Sequence, residues 1–134
     1  MNLISKLVSL FNFGTLANQT PLPAGWYSSF AEAIDAAKNS NKLVLVKVHA
    51  DWCGYCKNFD QDIVSVPLLS DYLNEHFECA RVKEHTSEGK KLKKIHKVVA
   101  YPGYLIFRGT DFVGKVRGYR TAAEFLDEIK KLVD

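Results

Sequence analysis

The chain has 134 residues, of which 47% are hydrophobic and 25% are charged, and its formal net charge is +3. Such a chain forms one globular domain whose core needs no disulfide staples, which excludes disordered, collagen-like and coiled-coil proteins. The charge is too small to indicate nucleic-acid binding, and no apolar run is long enough to span a membrane. The chain contains three cysteines, too few for a disulfide scaffold.

The first 20 residues permit two interpretations. Lys6 precedes a short apolar stretch, as in a secretory signal segment. Asn12 lies within that stretch and favours instead a helix that packs on the domain. A sequence rich in Pro and Gly follows and indicates a linker or turn. We therefore expect an N-terminal extension and linker over residues 1–25 and one domain over residues 26–134.

After the linker, the pattern predicts alternating helices and strands. Ser29 and Glu32 have the spacing of a capping box, and the helix that they open is expected to end near Asn41. Residues 43–50 form a β-branched apolar run, which is typical of a central strand covered on both faces. A second helix is predicted to begin near Cys53.

The same alternation continues beyond the second helix. Pro67 opens a third helix, residues 77–82 alternate as a strand does, and residues 90–99 predict a fourth helix. The apolar spacing predicts a buried face on both helices, with Leu68, Leu69, Tyr72 and Leu73 inward in the third and Leu92, Ile95 and Val99 inward in the fourth.

Two strands over residues 104–108 and 112–117 are joined through Gly109 as a hairpin, and Thr121 and Glu124 form a capping box that opens the last helix. Strands that alternate with helices imply a parallel centre, and the hairpin adds an antiparallel edge. The predicted fold class is therefore α/β: a central mixed β-sheet flanked by helices, with a closing antiparallel hairpin and a C-terminal helix.

Cys53 and Cys56 follow directly on the predicted central strand. Two residues between cysteines is a spacing at which the sulfurs can bond and be reduced again. In the first turn of a helix, unpaired N–H groups and the helix dipole stabilise a thiolate, so we expect a lowered pKa for Cys53. Cys53 should attack a substrate disulfide, and Cys56 should resolve the mixed disulfide that forms.

Two other interpretations of the cysteine pair remain open. One is an inert packing pair, and the other is a zinc site, because this spacing supplies half of many zinc ligand sets. No second pair stands at metal-ligand spacing, and the other candidate ligands are Cys79, His49, His76, His85 and His96. A strand before the pair and a helix after it favour redox chemistry. We therefore expect no metal and no cofactor.

The part of the chain from residue 26 to residue 133 resembles the thioredoxin-fold family. Residues 52–57 read Trp-Cys-Gly-Tyr-Cys-Lys, similar to the active-site motif Trp-Cys-Gly-x-Cys-Lys of thioredoxin-like proteins, and Tyr101-Pro102 is similar to their cis-proline loop. The resemblance implies that Pro102 is cis and faces the disulfide. It also implies that Trp52 and Tyr101 form apolar walls for a substrate.

The dipeptide Gly54-Tyr55 departs from the Gly-Pro of reductive thioredoxins and resembles the active site of bacterial periplasmic disulfide isomerases. The dipeptide between the cysteines influences thiolate stability, so the direction of electron flow stays open. Gly103 replaces the Thr that is common after the cis proline, which leaves that substrate contact open.

Lys47 stands where thioredoxins proper carry a buried Asp that is taken to relay the proton of the second cysteine. One expectation is that Lys47 tunes proton transfer at Cys56, either as a base when neutral or as a charge that favours the thiolate. The alternative is that Lys47 pairs with Glu84 or Asp51, or extends its tip into water.

Cys79 is expected to be a small buried hydrophobic residue, the alternative being a regulatory thiol. His49 is either a satisfied core histidine or a residue that modulates Cys53. Residues 81–97 are rich in Lys and Arg without interleaved aromatic residues, which predicts a solvated helix face that favours acidic partners.

The sequence therefore predicts a protein-disulfide oxidoreductase that acts in the reductase or the isomerase direction. The expected partners are protein disulfide or dithiol substrates and an upstream electron donor or acceptor, without nucleic acid or a transmembrane segment, and the chain is expected to be a monomer. A non-catalytic interaction protein and a redox sensor or electron carrier for a dedicated partner are the alternatives. Both the cytoplasm and the bacterial periplasm or cell envelope remain open as locations.

Overall fold

A computed structural model describes residues 21–134, so the two interpretations of the first 20 residues lie outside the described residues. The described chain follows the predicted order of helices and strands. The helices are α1 (Phe30–Ser40), α2 (Gly54–Ser65), α3 (Pro67–His76), α4 (Ser87–His96) and α5 (Ala122–Val133), and the strands are β1 (Leu43–His49), β2 (Phe77–Lys83), β3 (Gly103–Arg108) and β4 (Asp111–Arg117).

The strands form one mixed sheet in the order β2-β1-β3-β4. β1 runs parallel to β2 and antiparallel to β3, and β3 and β4 form the predicted antiparallel hairpin. The predicted parallel centre is wrong in one respect, because β3 enters the sheet on the far side of β1 and in the reverse direction. Only the β1/β2 pair, which is joined through α2 and α3, is parallel among the described strands.

Alternate residues of β1 lie on opposite faces of the sheet, because successive side chains of a strand point to opposite sides. Leu45 packs with apolar residues of α2, α3 and α5, among them Phe59, Leu69 and Phe125. Val46 packs on the other face, with apolar residues of α1 and α4. β1 is therefore covered on both faces, as its apolar run predicts.

The N-terminus of α1 is capped partly from its own sequence and partly by α4. The Ser29 side chain accepts a hydrogen bond from the backbone N–H of Glu32 at 3.3 Å, which is one half of the predicted capping box. Glu88 in α4 accepts from the backbone N–H groups of Phe30 at 2.8 Å and Ala31 at 3.1 Å. This carboxylate satisfies donors that a helix terminus leaves unpaired and joins two helices that are distant in sequence.

The helix predicted over residues 90–99 is α4, and its bounds differ from the prediction. Thr86 caps it by accepting from the backbone N–H of Gly89 at 3.1 Å, so the helix begins before Lys90. It ends at Lys97, whose left-handed backbone (φ 53°) stops the helical turn. Because the helix ends there, Val99 lies beyond it.

Three residues predicted to be buried are exposed: Leu68 by 72%, Ile95 by 68% and Val99 by 71%. Leu69 and Leu73 are the leucines of α3 that face the core. Leu68 lies beside them on the helix and points away from the core. Leu92 is the buried apolar residue of α4, as predicted. Among residues 21–134 there is no helix of the length and apolar character that crossing a membrane requires.

Candidate active site

The cysteine pair lies where β1 passes into α2. The backbone N–H of Cys53 donates to the carbonyl of Ala50 at 3.1 Å, which forms the tight turn after the strand. Cys53 is the N-cap of α2, and its Sγ accepts a hydrogen bond from the backbone N–H of Cys56 at 3.2 Å. The predicted start of the second helix near Cys53 is confirmed, and the sulfur lies at the positive end of the helix.

The two sulfurs differ in their access to the surface. Cys53 is 5% exposed and is flanked by the exposed residues Trp52 and Tyr55, whereas Cys56 is completely buried. Both cysteines are free thiols in this structure. Cys53 is therefore the outer thiol and Cys56 the inner one.

Burial raises the pKa of the Cys56 thiol to about 12, and the hydrogen bond with Cys53 adds to the increase. The positive charge of Lys47 acts in the opposite direction. Cys56 is therefore protonated at neutral pH in the dithiol state. Before it can attack a sulfur as a thiolate, this proton has to leave a buried position.

Lys47 is completely buried beneath the cysteines, with its ammonium group bound on two sides. Its Nζ donates to Oδ1 of Asp60 at 2.5 Å and to the backbone carbonyl of Cys56 at 2.6 Å. The expectation that Lys47 pairs with Glu84 or Asp51, or extends into water, is wrong. Burial lowers the pKa of Lys47, and the neighbouring Asp60 carboxylate opposes that decrease.

Asp60 also binds a second cation, since Nη1 of Arg81 donates to its Oδ2 at 2.7 Å. Lys47 and Arg81 are direct partners in the parallel β1/β2 ladder, so two positive side chains lie next to each other on adjacent strands. Asp60 reaches both of them from α2. We call Lys47, Asp60 and Arg81 the buried ion cluster.

Sequence reasoning missed Asp60 and Arg81. One signal was available for Asp60: it falls one helical turn after Cys56, on the face of α2 that also buries Phe59 and Ile63. A carboxylate on an apolar helix face needs a partner when it is buried. Arg81 can be recognised as a neighbour of Lys47 only once the register between β1 and β2 is known.

The peptide bond between Tyr101 and Pro102 is cis, as the resemblance implies. The Pro102 carbonyl accepts from the backbone N–H of Gly118 at 2.8 Å, which joins the proline loop to the end of β4. Tyr101 packs against the buried cluster of Ala50, Cys53 and Cys56, and its ring meets the Trp52 ring edge to face at 5.5 Å. Trp52 and Tyr101 therefore form an aromatic wall beside the outer sulfur.

A second aromatic wall, which the sequence did not predict, lies next to Gly54. The rings of Tyr55 and Tyr119 stack at 5.7 Å with an interplanar angle of 29°. The Tyr119 hydroxyl donates to Oδ2 of Asp62 at 3.0 Å, so α2 holds the turn after β4 in place. Nothing lies within 4 Å of the position that a Cβ would take on Gly54, which leaves the space beside Gly54 open.

Gly103 follows the cis proline at a crowded place, where a side chain would require Val98 to shift. A Cβ on Gly103 would lie 2.6 Å from Cγ1 of Val98 and 3.1 Å from the carbonyl of Ala100. Val98 therefore occupies the space next to the proline loop. This explains in physical terms why the Thr common at this position of the family is replaced by Gly here.

His49 is buried at the end of β1, and burial together with the charges of Lys47 and Arg81 lowers its pKa to about 4. Its Nε2 lies 3.4 Å from Oδ1 of Asp51, while Nδ1 has no hydrogen-bond partner among the described residues. The imidazole is therefore neutral at pH 7 and leaves Nδ1 without a hydrogen bond among the described residues, unlike the satisfied core histidine expected as one alternative.

Cys79 is buried in the core, and this burial raises the pKa of its thiol. The expectation of a small buried hydrophobic residue is confirmed. A buried protonated thiol is also unreactive, which speaks against the regulatory thiol. Within residues 21–134, no group of three or more His, Cys, Asp or Glu side chains is arranged to hold a metal ion.

With this fold and site, the chain belongs to the thioredoxin-like family, whose model matches residues 25–109. It is 28% identical to thioredoxin H2-1 of Oryza sativa subsp. japonica, over 77% of this chain and 67% of that protein. It is also 27% identical to a protein disulfide-isomerase of Hordeum vulgare and to the thiol:disulfide interchange protein DsbD of Pasteurella multocida. The chain covers only 20% and 17% of these two longer proteins.

Solved structures agree with the family assignment. A proposed disulphide isomerase from Bacteroides thetaiotaomicron superposes with a TM-score of 0.75 at 32% identity, over 87% of this chain and 97% of that one. A thioredoxin from Thermus thermophilus gives a TM-score of 0.70 at 29% identity, over 80% and 85% of the two chains. The predicted α/β thioredoxin fold is confirmed.

Proposed function

We propose that this chain is a thiol–disulfide oxidoreductase that exchanges disulfides with protein substrates through Cys53 and Cys56. The observation that carries the proposal is the asymmetry of the two sulfurs. Cys53 caps the N-terminus of α2 between two aromatic walls, and Cys56 is buried behind it on the buried ion cluster. A packing pair needs neither difference.

In the reducing direction, the Cys53 thiolate attacks one sulfur of a substrate disulfide. A bond forms between Cys53 and that sulfur, the substrate S–S bond breaks, and the other substrate sulfur leaves as a thiolate that takes up a proton. The N–H of Cys56 at 3.2 Å and the positive end of α2 favour negative charge on Cys53. The first aromatic wall, which contains Trp52, and the second, which contains Tyr55, align the substrate chain.

Cys56 then loses its proton and attacks the sulfur of Cys53. The Cys53–Cys56 disulfide forms, the mixed disulfide breaks, and the second substrate thiolate leaves. Two electrons have then passed from the dithiol to the substrate, and the same steps in reverse oxidise a substrate dithiol. We propose that Lys47, held charged by Asp60, favours the Cys56 thiolate during this second step.

The main test uses the variants Cys53→Ser and Cys56→Ser in the reduction of insulin by dithiothreitol. We expect both variants to lose catalysis, because each lacks one of the two exchange steps. In a separate incubation of the reduced variants with insulin and without dithiothreitol, which would break the trap, Cys56→Ser should retain a covalent mixed disulfide with insulin, visible as a mass increase, whereas Cys53→Ser should not. The matched control is Cys79→Ser, which should keep the wild-type rate.

The proposal would be contradicted if the wild-type chain did not accelerate insulin reduction although both thiols could be alkylated. That result would favour a binding role. If the mixed disulfide accumulated in Cys53→Ser instead of Cys56→Ser, Cys56 would be the attacking cysteine and Cys53 the resolving one. The reduction potential of the pair, measured against glutathione, decides the direction of electron flow.

The role of Lys47 is tested by the lifetime of the mixed disulfide as a function of pH. In Lys47→Met, we expect the pH at which Cys56 resolves the mixed disulfide to rise by about one unit or more, because a nearby positive charge is lost. The control Lys83→Met removes a partly exposed lysine that pairs with Asp51. Superimposable profiles of wild type and Lys47→Met would exclude the role.

A further inference from the structure

We propose that the exposed face of α4 and the loop after it form a docking surface for an acidic segment of the partner protein whose sulfur reacts with Cys53. This proposal rests on the proposed function and specifies the chemistry of the partner. We call the surface the α4 face, and its residues are Lys90, Lys91, Lys94, Ile95, Lys97 and Val99.

The positive charges of the α4 face, those of its four lysines, have no carboxylate partner in the part of the chain that the structure describes. The nearby acids are engaged elsewhere: Glu84 pairs with Lys93 at 3.5 Å, and Glu88 caps the N-terminus of α1. The field of these lysines therefore extends into solvent, where it attracts negative charge.

Two aliphatic side chains lie among these lysines. Ile95 and Val99 are both more exposed than Phe112, which is 43% exposed and stacks on His96. A few apolar groups within a charged border are the arrangement of a protein–protein interface, where the apolar part is dehydrated and the charges set specificity. The occupant that fits is a segment with acidic side chains and some apolar ones.

Lys93, which lies on α4 next to the α4 face, connects this helix to the first aromatic wall. The Nζ of Lys93 lies 5.5 Å from the centre of the Tyr101 ring. That ring packs against the buried cluster of Ala50, Cys53 and Cys56 and meets Trp52 edge to face. A partner chain that passes the outer sulfur along this wall therefore reaches α4 next.

Other anionic occupants fit less well. Single-stranded nucleic acid binds where bases stack on exposed aromatic side chains, and the α4 face contains none. An interfacial helix needs a broad apolar face, whereas α4 exposes one large aliphatic side chain, Ile95, beside its lysines. The chemistry at Cys53 also requires a partner that carries sulfur, which favours a protein.

The experiment measures how fast the reduced chain reacts with three synthetic peptides. Each peptide carries one cysteine as a mixed disulfide with 2-nitro-5-thiobenzoate, and the release of that group is followed by absorbance. Each peptide also carries an extension of about 12 residues, which is enough to span ~40 Å. The extensions alternate Leu with Glu, Ser or Lys, and every peptide carries such an extension on both sides of the cysteine. We expect the Glu peptide to react about tenfold faster than the Ser peptide at low salt.

The test variant carries Lys90→Glu, Lys91→Glu and Lys94→Glu, and we expect it to lose the preference for the Glu peptide. The matched control carries Lys38→Glu, Lys130→Glu and Lys131→Glu, which changes the net charge equally on helices away from the α4 face. The control should keep most of the preference. The preference of the wild type should fall to within about twofold at 1 M salt, because charges are then screened within a few ångströms.

A second substrate separates this proposal from the proposed function. Both triple variants should react with 4,4'-dithiodipyridine, which is small and uncharged at neutral pH, at the wild-type rate. Failure of the wild type with this reagent would contradict the proposed function itself. Normal reaction with it, combined with equal rates for the three peptides, would overturn only the docking surface. Binding of the α4 face to phosphatidylserine vesicles or to RNA without a preference for the Glu peptide would also overturn it.

Discussion

The two faces of the sheet use alternate residues of the same strand, yet they bury different chemistry. Towards α1 and α4, β1 contributes Val44, Val46 and Val48 to an apolar cluster. Towards α2, α3 and α5, β1 begins with apolar residues and then contributes Lys47 and His49. One face is therefore apolar along its whole length, and the other becomes polar as it approaches the cysteines.

This difference separates what stabilises the fold from what the site requires. A buried ion pair recovers little more than its own desolvation cost, so apolar residues of the same volume would hold this region together at least as well. The buried ion cluster nevertheless contacts the backbone of Cys56. The buried ion cluster therefore matters for its location beside Cys56 and not for its contribution to stability.

The largest expected effect comes from Asp60→Asn, which leaves Lys47 and Arg81 side by side without their shared anion. We expect a loss of about 3–5 kcal/mol in the free energy of unfolding, measured by urea titration at pH 7. Lys47→Met should cost less, because the pair between Asp60 and Arg81 at 2.7 Å survives. Equal losses in the two variants would contradict the view that Asp60 joins both cations.

On the apolar face, Leu105→Ala should cost about 2–5 kcal/mol, since it leaves a cavity among fully buried neighbours. The same variant should leave the pH profile of cysteine alkylation unchanged. Measured beside Asp60→Asn, it shows whether loss of stability alone alters the thiols. A shifted pH profile of cysteine alkylation in Leu105→Ala would contradict the view that only the polar face of the sheet influences the thiols.

The third effect depends on pH. An unfolded histidine takes up a proton below about pH 6.5, whereas burial lowers the pKa of His49 to about 4. Between these values the unfolded chain binds more protons, so the folded state loses stability as the pH falls. Wild type should lose up to ~3 kcal/mol more than His49→Gln between pH 7 and pH 4. The exposed control His85→Gln should follow wild type, and identical losses in wild type and His49→Gln would disprove the effect.

The smallest effect is expected in the second aromatic wall. Tyr119→Phe removes the hydroxyl that bonds Asp62 at 3.0 Å, at a partly exposed site. We expect a loss of about 1 kcal/mol in the free energy of unfolding. Asp62→Ala should cost a similar amount, and the double variant little more than either, which a double-mutant cycle measures. Additive losses would show that the two groups do not act as a pair.

Local patterns were sufficient for most of the fold. Thr121 and Glu124 form the complete capping box that the sequence predicts for α5. The β-branched run of β1 predicts burial on both faces, and the cysteines fall at the start of α2 as expected. In each case neighbouring residues carry the signal, so no knowledge of distant contacts is needed.

The errors arise where distant contacts decide. Nothing near Lys47 in sequence reveals that its partner is Asp60, because that pairing depends on how α2 lies on the sheet. The register that sets Lys47 opposite Arg81 is likewise invisible before the strands are aligned. In α4 the error is local: the predicted helix begins after the true cap, Thr86, and continues past Lys97 to include Val99.

The tight space beside Gly103 links two positions that do not touch the cysteines. Because the methyl group of Val98 fills the volume that a Cβ at position 103 would need, the two positions are expected to covary among relatives. A relative with Thr after the proline should carry a smaller residue than Val five positions earlier. Loop exchange between such proteins should succeed only when both positions are transplanted together.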